Sequence, residues 1–424
     1  MKLLAEILGM TNFCNLRCTY CDWKMRPIER LSDEGRSAAA ARLRRIGDIV
    51  AADYPSVVFV EYSGGEPFVY PAIVESLLDT FPDRWVRIST NGTLIRPQHI
   101  AKLAGRKAYL AMSLDGHTQR ANLPRFGESA ALLARVSDTL SALLAAGVPT
   151  MLLCTLNQAN IDGFPAFVDH LSATYPAAIR DGLLMLPAHC VSEYEKENGK
   201  PTITQAYSFL TYVLTRGPES PLIAPIWPHY LRLAEFIIAT TCKAYRDSGR
   251  QDALPPAWRA RYPHDGSFAR TCFLHDWQVC FHFLDDAIAT SGSYRSFGCG
   301  MRGVGDLGLY QIDKKESVQA HRQAVHAGSP SFPTARPLGG QCPLLEDCLV
   351  DWNAIDMIFS GQIDLESAQS WSVMFRDPTV STAVRLAQAE YAGAPGGIAV
   401  DPAARPAASS AASSAAKPAA KPAA

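Results

Sequence analysis

The chain has 424 residues, of which 48% are hydrophobic, and its formal net charge is −1. This length allows one large domain with a substantial core and a smaller second domain. The near-neutral charge excludes the global basic field with which many proteins bind nucleic acid.

The sequence also indicates which targeting signals are expected. The apolar run at the N-terminus is too short for a signal peptide and is interrupted by Glu6, and no stretch is long enough to span a membrane. Eleven cysteines in a chain without an export signal favour metal ligation over a disulfide framework. We therefore expect a cytoplasmic protein with metal-binding cysteines.

A loop with three cysteines follows the first predicted strand, residues 3–10. Cys14, Cys18 and Cys21 have C-x3-C-x2-C spacing. Three thiolates on one tight loop can hold three irons of an iron–sulfur cube, and the fourth iron then stays open for chemistry. The alternative is a structural zinc site, which needs a fourth ligand, but the next Cys or His along the chain is His99.

The apolar pattern then alternates between strands and helices. Ser32 can cap a helix that reaches about Ala52, and Pro71 is suited to the first turn of another helix. Further helices are predicted at residues 129–146 and 164–174, and strands at 57–62, 85–89, 108–113, 149–155 and 182–186. Strands that alternate with helices predict βαβ units and a parallel sheet, which defines an α/β fold.

Polar residues follow the carboxyl ends of these strands, where parallel sheets bind ligands. The second strand leads into Gly64 and Gly65, and paired glycines let a backbone approach a ligand closely. An ordinary glycine-rich turn is the alternative interpretation. The other strand-end candidates are Glu66, Pro67, Ser89, Asn91, Ser113, Asp115 and Asn157.

The regular alternation fades over residues 191–263, where helical connectors are predicted, and a second cysteine group follows. Its members are Cys272, Cys280, Cys299, Cys342 and Cys348. Residues 281–294 predict a β-hairpin that turns at 291–293. Residues 351–391 are predicted to be helical, and the Ala/Pro-rich segment 393–424 is expected to be a disordered tail.

The run CNLRCTYC over residues 14–21 resembles the signature loop of the radical S-adenosylmethionine (SAM) superfamily. The resemblance implies a [4Fe-4S] cluster on Cys14, Cys18 and Cys21 with SAM on the open iron, in a partial (β/α)6 barrel over residues 1–235. It also implies SAM contacts from Tyr20, Gly64, Gly65, Glu66, Pro67, Ser89, Asn91, Ser113, Asp115 and Asn157. Arg120 or Arg125 could reach the SAM carboxylate, or both could be solvated loop arginines.

The second cysteine group resembles the SPASM and twitch extensions of radical SAM enzymes, which hold auxiliary clusters. This resemblance implies a small α+β domain over residues 236–392. A full SPASM domain has more cysteines than this group, so one auxiliary [4Fe-4S] cluster is expected, on Cys280, Cys299, Cys342 and Cys348. Cys272 is an alternative or additional ligand, and zinc is an alternative metal. Asp285 or Asp286 could accept a substrate proton in catalysis, or both could be solvated hairpin carboxylates.

The function that the resemblance implies is that of a radical SAM oxidoreductase. Such an enzyme cleaves SAM reductively to a 5′-deoxyadenosyl radical, which abstracts a hydrogen atom from the substrate. The first expected substrate is a peptide or protein side chain that is oxidised or cross-linked during peptide maturation, with flavodoxin or ferredoxin as electron donor. A small molecule such as a sugar or aminocyclitol is the second. A non-catalytic iron–sulfur protein is the alternative from another class, and it would need no SAM pocket.

Overall fold

A parallel β-sheet lies at the centre of the protein in the computed structural model, which describes residues 3–8, 10, 13–21, 30–189, 201–261, 270–271, 278–283, 290–291, 337–338 and 352–392. The strands hydrogen-bond in the order β6-β5-β4-β3-β2-β1-β8-β9, and β7 pairs separately with β10. Their bounds are β1 Leu4–Leu8, β2 Phe59–Ser63, β3 Trp85–Thr90, β4 Ala108–Ser113, β5 Thr150–Leu156, β6 Leu184–His189, β7 Arg270–Thr271, β8 Gln278–Phe283, β9 Thr290–Ser291 and β10 Pro337–Leu338.

Helices connect the strands and follow them. Their bounds are α1 Asp33–Asp53, α2 Pro71–Thr80, α3 Pro97–Leu103, α4 Leu123–Phe126, α5 Ala130–Ala145, α6 Phe164–Thr174, α7 Pro176–Asp181, α8 Ile203–Arg216, α9 Trp227–Asp247, α10 Pro256–Arg261, α11 Trp352–Phe359, α12 Leu365–Trp371, α13 Val373–Arg376 and α14 Pro378–Ala392. Local chemistry explains where several of these helices begin. Ser32 accepts a hydrogen bond from the Gly35 amide at the start of α1, and Pro71 occupies the first turn of α2.

The predicted α/β fold is confirmed, because β1 to β6 form a six-stranded parallel sheet with intervening helices. The helical connectors expected before residue 263 and the C-terminal helices are also present. The sixth strand begins later than predicted, because Gly182 ends α7 in a left-handed conformation (φ 116°). Within the described residues, no helix combines the length and apolarity needed to cross a membrane.

The two ends of the strands have different environments on one face of the sheet. Near the start of β2, the Phe59 ring lies 6.1 Å from the Phe359 ring and 5.8 Å from the Phe375 ring. Near the start of β3, Trp85 Nε1 donates to Asp377 Oδ2 at 3.1 Å. Helices α11 and α13 and the turn after α13 therefore contact the amino ends of these strands, and the predicted site lies at the opposite, carboxyl ends.

The second cysteine group is only partly described. Strand β8 pairs parallel with β1, with Cys280 in register with Glu6, and antiparallel with β9. The predicted hairpin is thus confirmed, but its turn at 291–293 is wrong, because Ser291 belongs to β9 and pairs with His282 of β8. The other residues of interest here lie outside the described residues, namely Cys272, Asp285, Asp286, Cys299, Cys342, Cys348 and the tail 393–424.

Candidate active site

The three-cysteine loop lies at the carboxyl end of β1 and is held by backbone hydrogen bonds on two sides. The Glu66 amide donates to the Phe13 carbonyl at 2.9 Å, which ties the loop to the turn after β2. The Thr19 amide donates to the Pro124 carbonyl at 2.8 Å, which ties it to α4. These contacts place the loop across the ends of β2 and β4, where the sequence predicts SAM contacts.

N–H donors surround the Cys14 sulfur. The Leu16 amide lies 3.4 Å from this sulfur, and Asn91 Nδ2 lies 3.7 Å away. Asn91 Nδ2 also donates to Asn15 Oδ1 at 3.0 Å, and Asn15 Nδ2 donates to Thr93 Oγ1 at 2.8 Å. Hydrogen bonds of this kind orient metal-binding thiolates and tune iron–sulfur clusters.

Burial affects the protonation of the cysteine thiols. Burial raises the pKa of Cys14 to about 11 and also raises the pKa of Cys18, so both prefer the neutral thiol until a cation compensates the thiolate charge. A cube takes each thiolate on a different iron, so three thiolates on one short loop fit such a cluster.

Glu66 points inward and connects the turn after β2 to the end of β3. It is 0% exposed, and its carboxylate accepts from Thr90 Oγ1 and the Asn91 amide at 2.7 Å each and from the Phe68 amide at 3.1 Å. Burial raises its pKa, although these three hydrogen bonds act in the opposite direction. The side chain therefore braces the turn, while Gly64 (φ 112°) and Gly65 (φ 49°) shape the backbone beside it.

Asp115, which follows β4, accepts hydrogen bonds from three separate parts of the site. Its carboxylate accepts from Arg125 Nη2 at 3.0 Å and Arg125 Nε at 3.1 Å, from the Thr155 amide at 2.9 Å, and from the Tyr20 hydroxyl. The Arg125 guanidinium also lies 5.5 Å from the centroid of the Tyr20 ring. Asp115 is 2% exposed and Arg125 is 8% exposed. This buried pair joins the cysteine loop to α4 and β5.

Asn157 is buried, and its side chain forms hydrogen bonds within the turn that contains it. Its amide group donates to the Thr155 carbonyl at 3.1 Å, and its side-chain oxygen accepts from the Ala159 amide at 2.9 Å. The neighbouring Asn160 donates to the Asp115 carbonyl at 3.1 Å. Asn157 thus stabilises the end of β5, and its side chain is already engaged in these bonds.

The structure gathers the ten candidate SAM contacts at one edge of the sheet, with two kinds of environment. Glu66, Asn91, Asp115 and Asn157 are buried, whereas Tyr20, Gly65, Ser89 and Ser113 are half-buried. Arg125 is in the buried pair, and Arg120 is exposed. Sequence reasoning missed Ser63 and Thr155, which share the face of Ser89 and Ser113. The period of two along each strand was the signal that could have found them.

Comparisons with known proteins agree with this geometry. Residues 8–171 match the family model described as the radical SAM superfamily. GTP 3′,8-cyclase from Aeromonas hydrophila is 29% identical over 180 residues, which cover 38% of this chain and 49% of the relative. Fe-coproporphyrin III synthase from Methanosarcina barkeri is 32% identical over 176 residues, 40% of this chain and 41% of the relative. The chain thus spans half or less of the length of these curated relatives.

A solved structure also resembles the chain. The crystal structure of Streptococcus suis SuiB bound to S-adenosylmethionine is 16% identical, with a TM-score of 0.47, over 82% of this chain and 72% of that one. The parallel sheet and the cysteine loop at its carboxyl edge form an α/β domain with a candidate iron–sulfur site. With the family match, this part of the chain is a domain of the radical SAM superfamily.

Proposed function

We propose that the protein is a radical SAM enzyme that oxidises or cross-links a peptide or protein side chain. One observation carries the SAM-dependent part of this proposal. The loop of Cys14, Cys18 and Cys21 is hydrogen-bonded to the same strand ends that hold the motifs matching the family's SAM contacts. A non-catalytic iron–sulfur protein would need the cysteines but not this pocket.

A [4Fe-4S] cluster with an open iron, when bound, supplies the electron that cleaves SAM to a 5′-deoxyadenosyl radical. The chain's own residues hold the cluster and SAM in place. The N–H groups of Leu16 and Asn91 orient the Cys14 sulfur, and the Tyr20–Asp115 contact fixes the other end of the loop. The Gly64–Gly65 turn offers backbone polar groups to the SAM ammonium or carboxylate.

The preference for a peptide substrate rests on the second half of the chain. The C-x5-C pair of Cys342 and Cys348 and the long helical connector, α8 to α10, match the expectation for a peptide-modifying enzyme. We further propose one auxiliary [4Fe-4S] cluster on Cys280, Cys299, Cys342 and Cys348, which would accept an electron from the substrate radical that hydrogen abstraction leaves. The pairing of β8 with β1 supports this, since it puts Cys280 one strand away from the strand that leads into the cysteine loop.

A small-molecule substrate is the second candidate. The curated relatives are named for reactions of a nucleotide and a porphyrin, which are small molecules, although the match covers 49% and 41% of their lengths. In this case the enzyme would dehydrogenate a compound such as a sugar or aminocyclitol.

Isotope transfer from substrate to SAM-derived product tests both candidates. The anaerobically reconstituted, reduced protein is incubated with SAM and with either deuterated peptides or a deuterated metabolite extract. We expect deuterium in 5′-deoxyadenosine with peptide. Deuterium only with the metabolite extract would replace the peptide proposal with the small-molecule one, and absence of SAM cleavage would refute both.

A further inference from the structure

A buried ion pair beneath the candidate SAM site directs one of its hydroxyl groups. Glu61 on β2 and Arg87 on β3 are neighbours in register. Arg87 Nη1 donates to Glu61 Oε1 at 3.0 Å, and Ser89 Oγ donates to the same oxygen at 3.1 Å. Glu61 is 2% exposed and Arg87 1% exposed, and both make further interactions in the chain.

Position along β3 separates the roles of these side chains. Trp85, Arg87 and Ser89 lie on one face because successive side chains alternate. Trp85 contacts the C-terminal helices, Arg87 lies in the middle, and the half-buried Ser89 reaches the carboxyl edge. Ser89 therefore connects the ion pair to the site edge.

The ion pair fixes the direction in which the Ser89 hydroxyl donates its hydrogen bond. A hydroxyl has one proton and two lone pairs, and a carboxylate beside a guanidinium only accepts hydrogen bonds. The Ser89 proton is therefore directed at Glu61, and its lone pairs remain for another donor. Among the residues that the structure describes, none donates to these lone pairs. A ligand group that meets Ser89 must then be a donor, such as an ammonium, a hydroxyl or an amino group, and a carboxylate there would be repelled.

We propose that Ser89 accepts a hydrogen bond from a donor group of bound SAM, and that Glu61 and Arg87 are positioning residues that impose this polarity. The inference rests on the proposed function, because it takes SAM as the ligand. SAM offers three kinds of donor: its ammonium group, its ribose hydroxyls and its adenine amino group. The alternative is that the ion pair only stabilises the sheet, as buried pairs often do without any ligand role.

Binding of SAM and two of its fragments to reconstituted protein tests the role of Ser89. Ser89→Ala should weaken SAM binding by roughly tenfold to a hundredfold if the donor is an ammonium. The loss should be roughly twofold to tenfold if the donor is a hydroxyl. Methionine carries only the ammonium donor, whereas 5′-methylthioadenosine carries the ribose hydroxyls and the adenine amino group. The fragment whose binding Ser89→Ala weakens therefore shows whether the donor is the ammonium or a group of the nucleoside. Ser89→Thr should bind SAM like wild type. Ser172→Ala, which removes a hydroxyl bonded to the Val168 carbonyl on α6, is the matched control.

A double-mutant cycle tests the positioning role. Glu61→Gln keeps an oxygen that accepts from both neighbours, so it should retain SAM affinity. Glu61→Met removes the acceptor that orients the Ser89 proton, so the added effect of Ser89→Ala should become smaller. Thermal unfolding of each variant shows whether it is folded. The control is Glu75→Gln, which changes an exposed ion pair with Lys102.

Each outcome has one meaning. If Ser89→Ala binds SAM as wild type does, the inference is wrong although the proposed function stands. If the Ser89→Ala effect is the same with Glu61→Met, the ion pair has only a structural role. If Glu61→Met does not fold, the fragment measurements with Ser89→Ala still decide the polarity of the contact. Failure of the wild-type protein to bind SAM would instead overturn the proposed function.

Discussion

Tyr20 donates a hydrogen bond from its hydroxyl to the carboxylate of Asp115, which joins the cysteine loop to the end of β4. Asp115 is in turn held by the Arg125 guanidinium and the Thr155 amide. The loop that would carry the cluster is therefore connected through one side chain to a buried ion pair. Changes at this contact should affect how firmly the cluster is held.

Tyr20→Phe removes the hydroxyl but keeps the ring beside Arg125. We expect a folded protein that loses iron to a chelator roughly tenfold faster, the scale on which outer contacts affect metal sites. Iron release is followed by absorbance after anaerobic reconstitution. Tyr207→Phe changes an exposed tyrosine on α8 and is the control. Equal release rates for wild type and Tyr20→Phe would show that the contact does not hold the loop.

Gly65→Val should weaken SAM binding. Gly65 has φ 49°, which a β-branched residue adopts only with strain, and valine would also place a side chain where the backbone approaches the ligand. Gly105→Val is the control, because Gly105 also has positive φ (77°) but has open space around it. We expect a loss of SAM affinity in Gly65→Val alone. If both variants bind SAM like wild type, the pocket lies elsewhere.

Asp377 should make stability depend on pH. Burial disfavours its ionised form, but Lys107 and the donors of Trp85 and Thr379 outweigh this and lower its pKa. A lowered folded-state pKa stabilises the protein above the unfolded value of about 4, and this stabilisation is lost as pH falls below it.

Asp377→Asn tests this effect by thermal unfolding. We expect a loss of about 1 to 2 kcal/mol at pH 7, from the weakened bonds to Lys107 and Trp85, and a smaller loss near pH 3. Asp79→Asn, which removes an exposed partner of Arg106, should change stability by less than about 1 kcal/mol. An equal effect of Asp377→Asn at both pH values would contradict the assignment.

The second cysteine group should hold one cluster. We expect about eight irons per chain, from two four-iron clusters, and about four in the Cys14/Cys18/Cys21→Ala triple variant. Cys348→Ala should damage the remaining cluster. Iron and sulfide analysis with Mössbauer spectroscopy distinguishes the outcomes: about twelve irons would mean a third cluster, and zinc with about four irons would make the C-terminal group structural.

The fold could be predicted from local signals. Ser32, Pro71 and Ser129 mark helix starts through capping and fixed φ, and the structure has helices directly after Ser32 and Ser129 and from Pro71 onwards. Short α3 and α4 escaped prediction because a few residues carry too little periodicity to separate helix from loop.

The interior of the site could not be predicted, because its contacts depend on strand register. Glu66 looked like a ligand contact in its motif, yet its partners Thr90 and Asn91 come from the next strand. Likewise, nothing local in the sequence relates Glu61 to Arg87 until β2 and β3 are paired. Spacing identified the cysteine loop because its ligands lie within one short segment.

SAM cleavage by the reduced, reconstituted protein is the most direct test of the central claim. Wild type should form 5′-deoxyadenosine under anaerobic conditions, and Cys18→Ala should form none, because it removes one of three thiolates that hold the cluster. Cys242→Ala changes a buried free cysteine on α9 and should keep the activity. Formation of 5′-deoxyadenosine by Cys18→Ala at the wild-type rate would contradict the account.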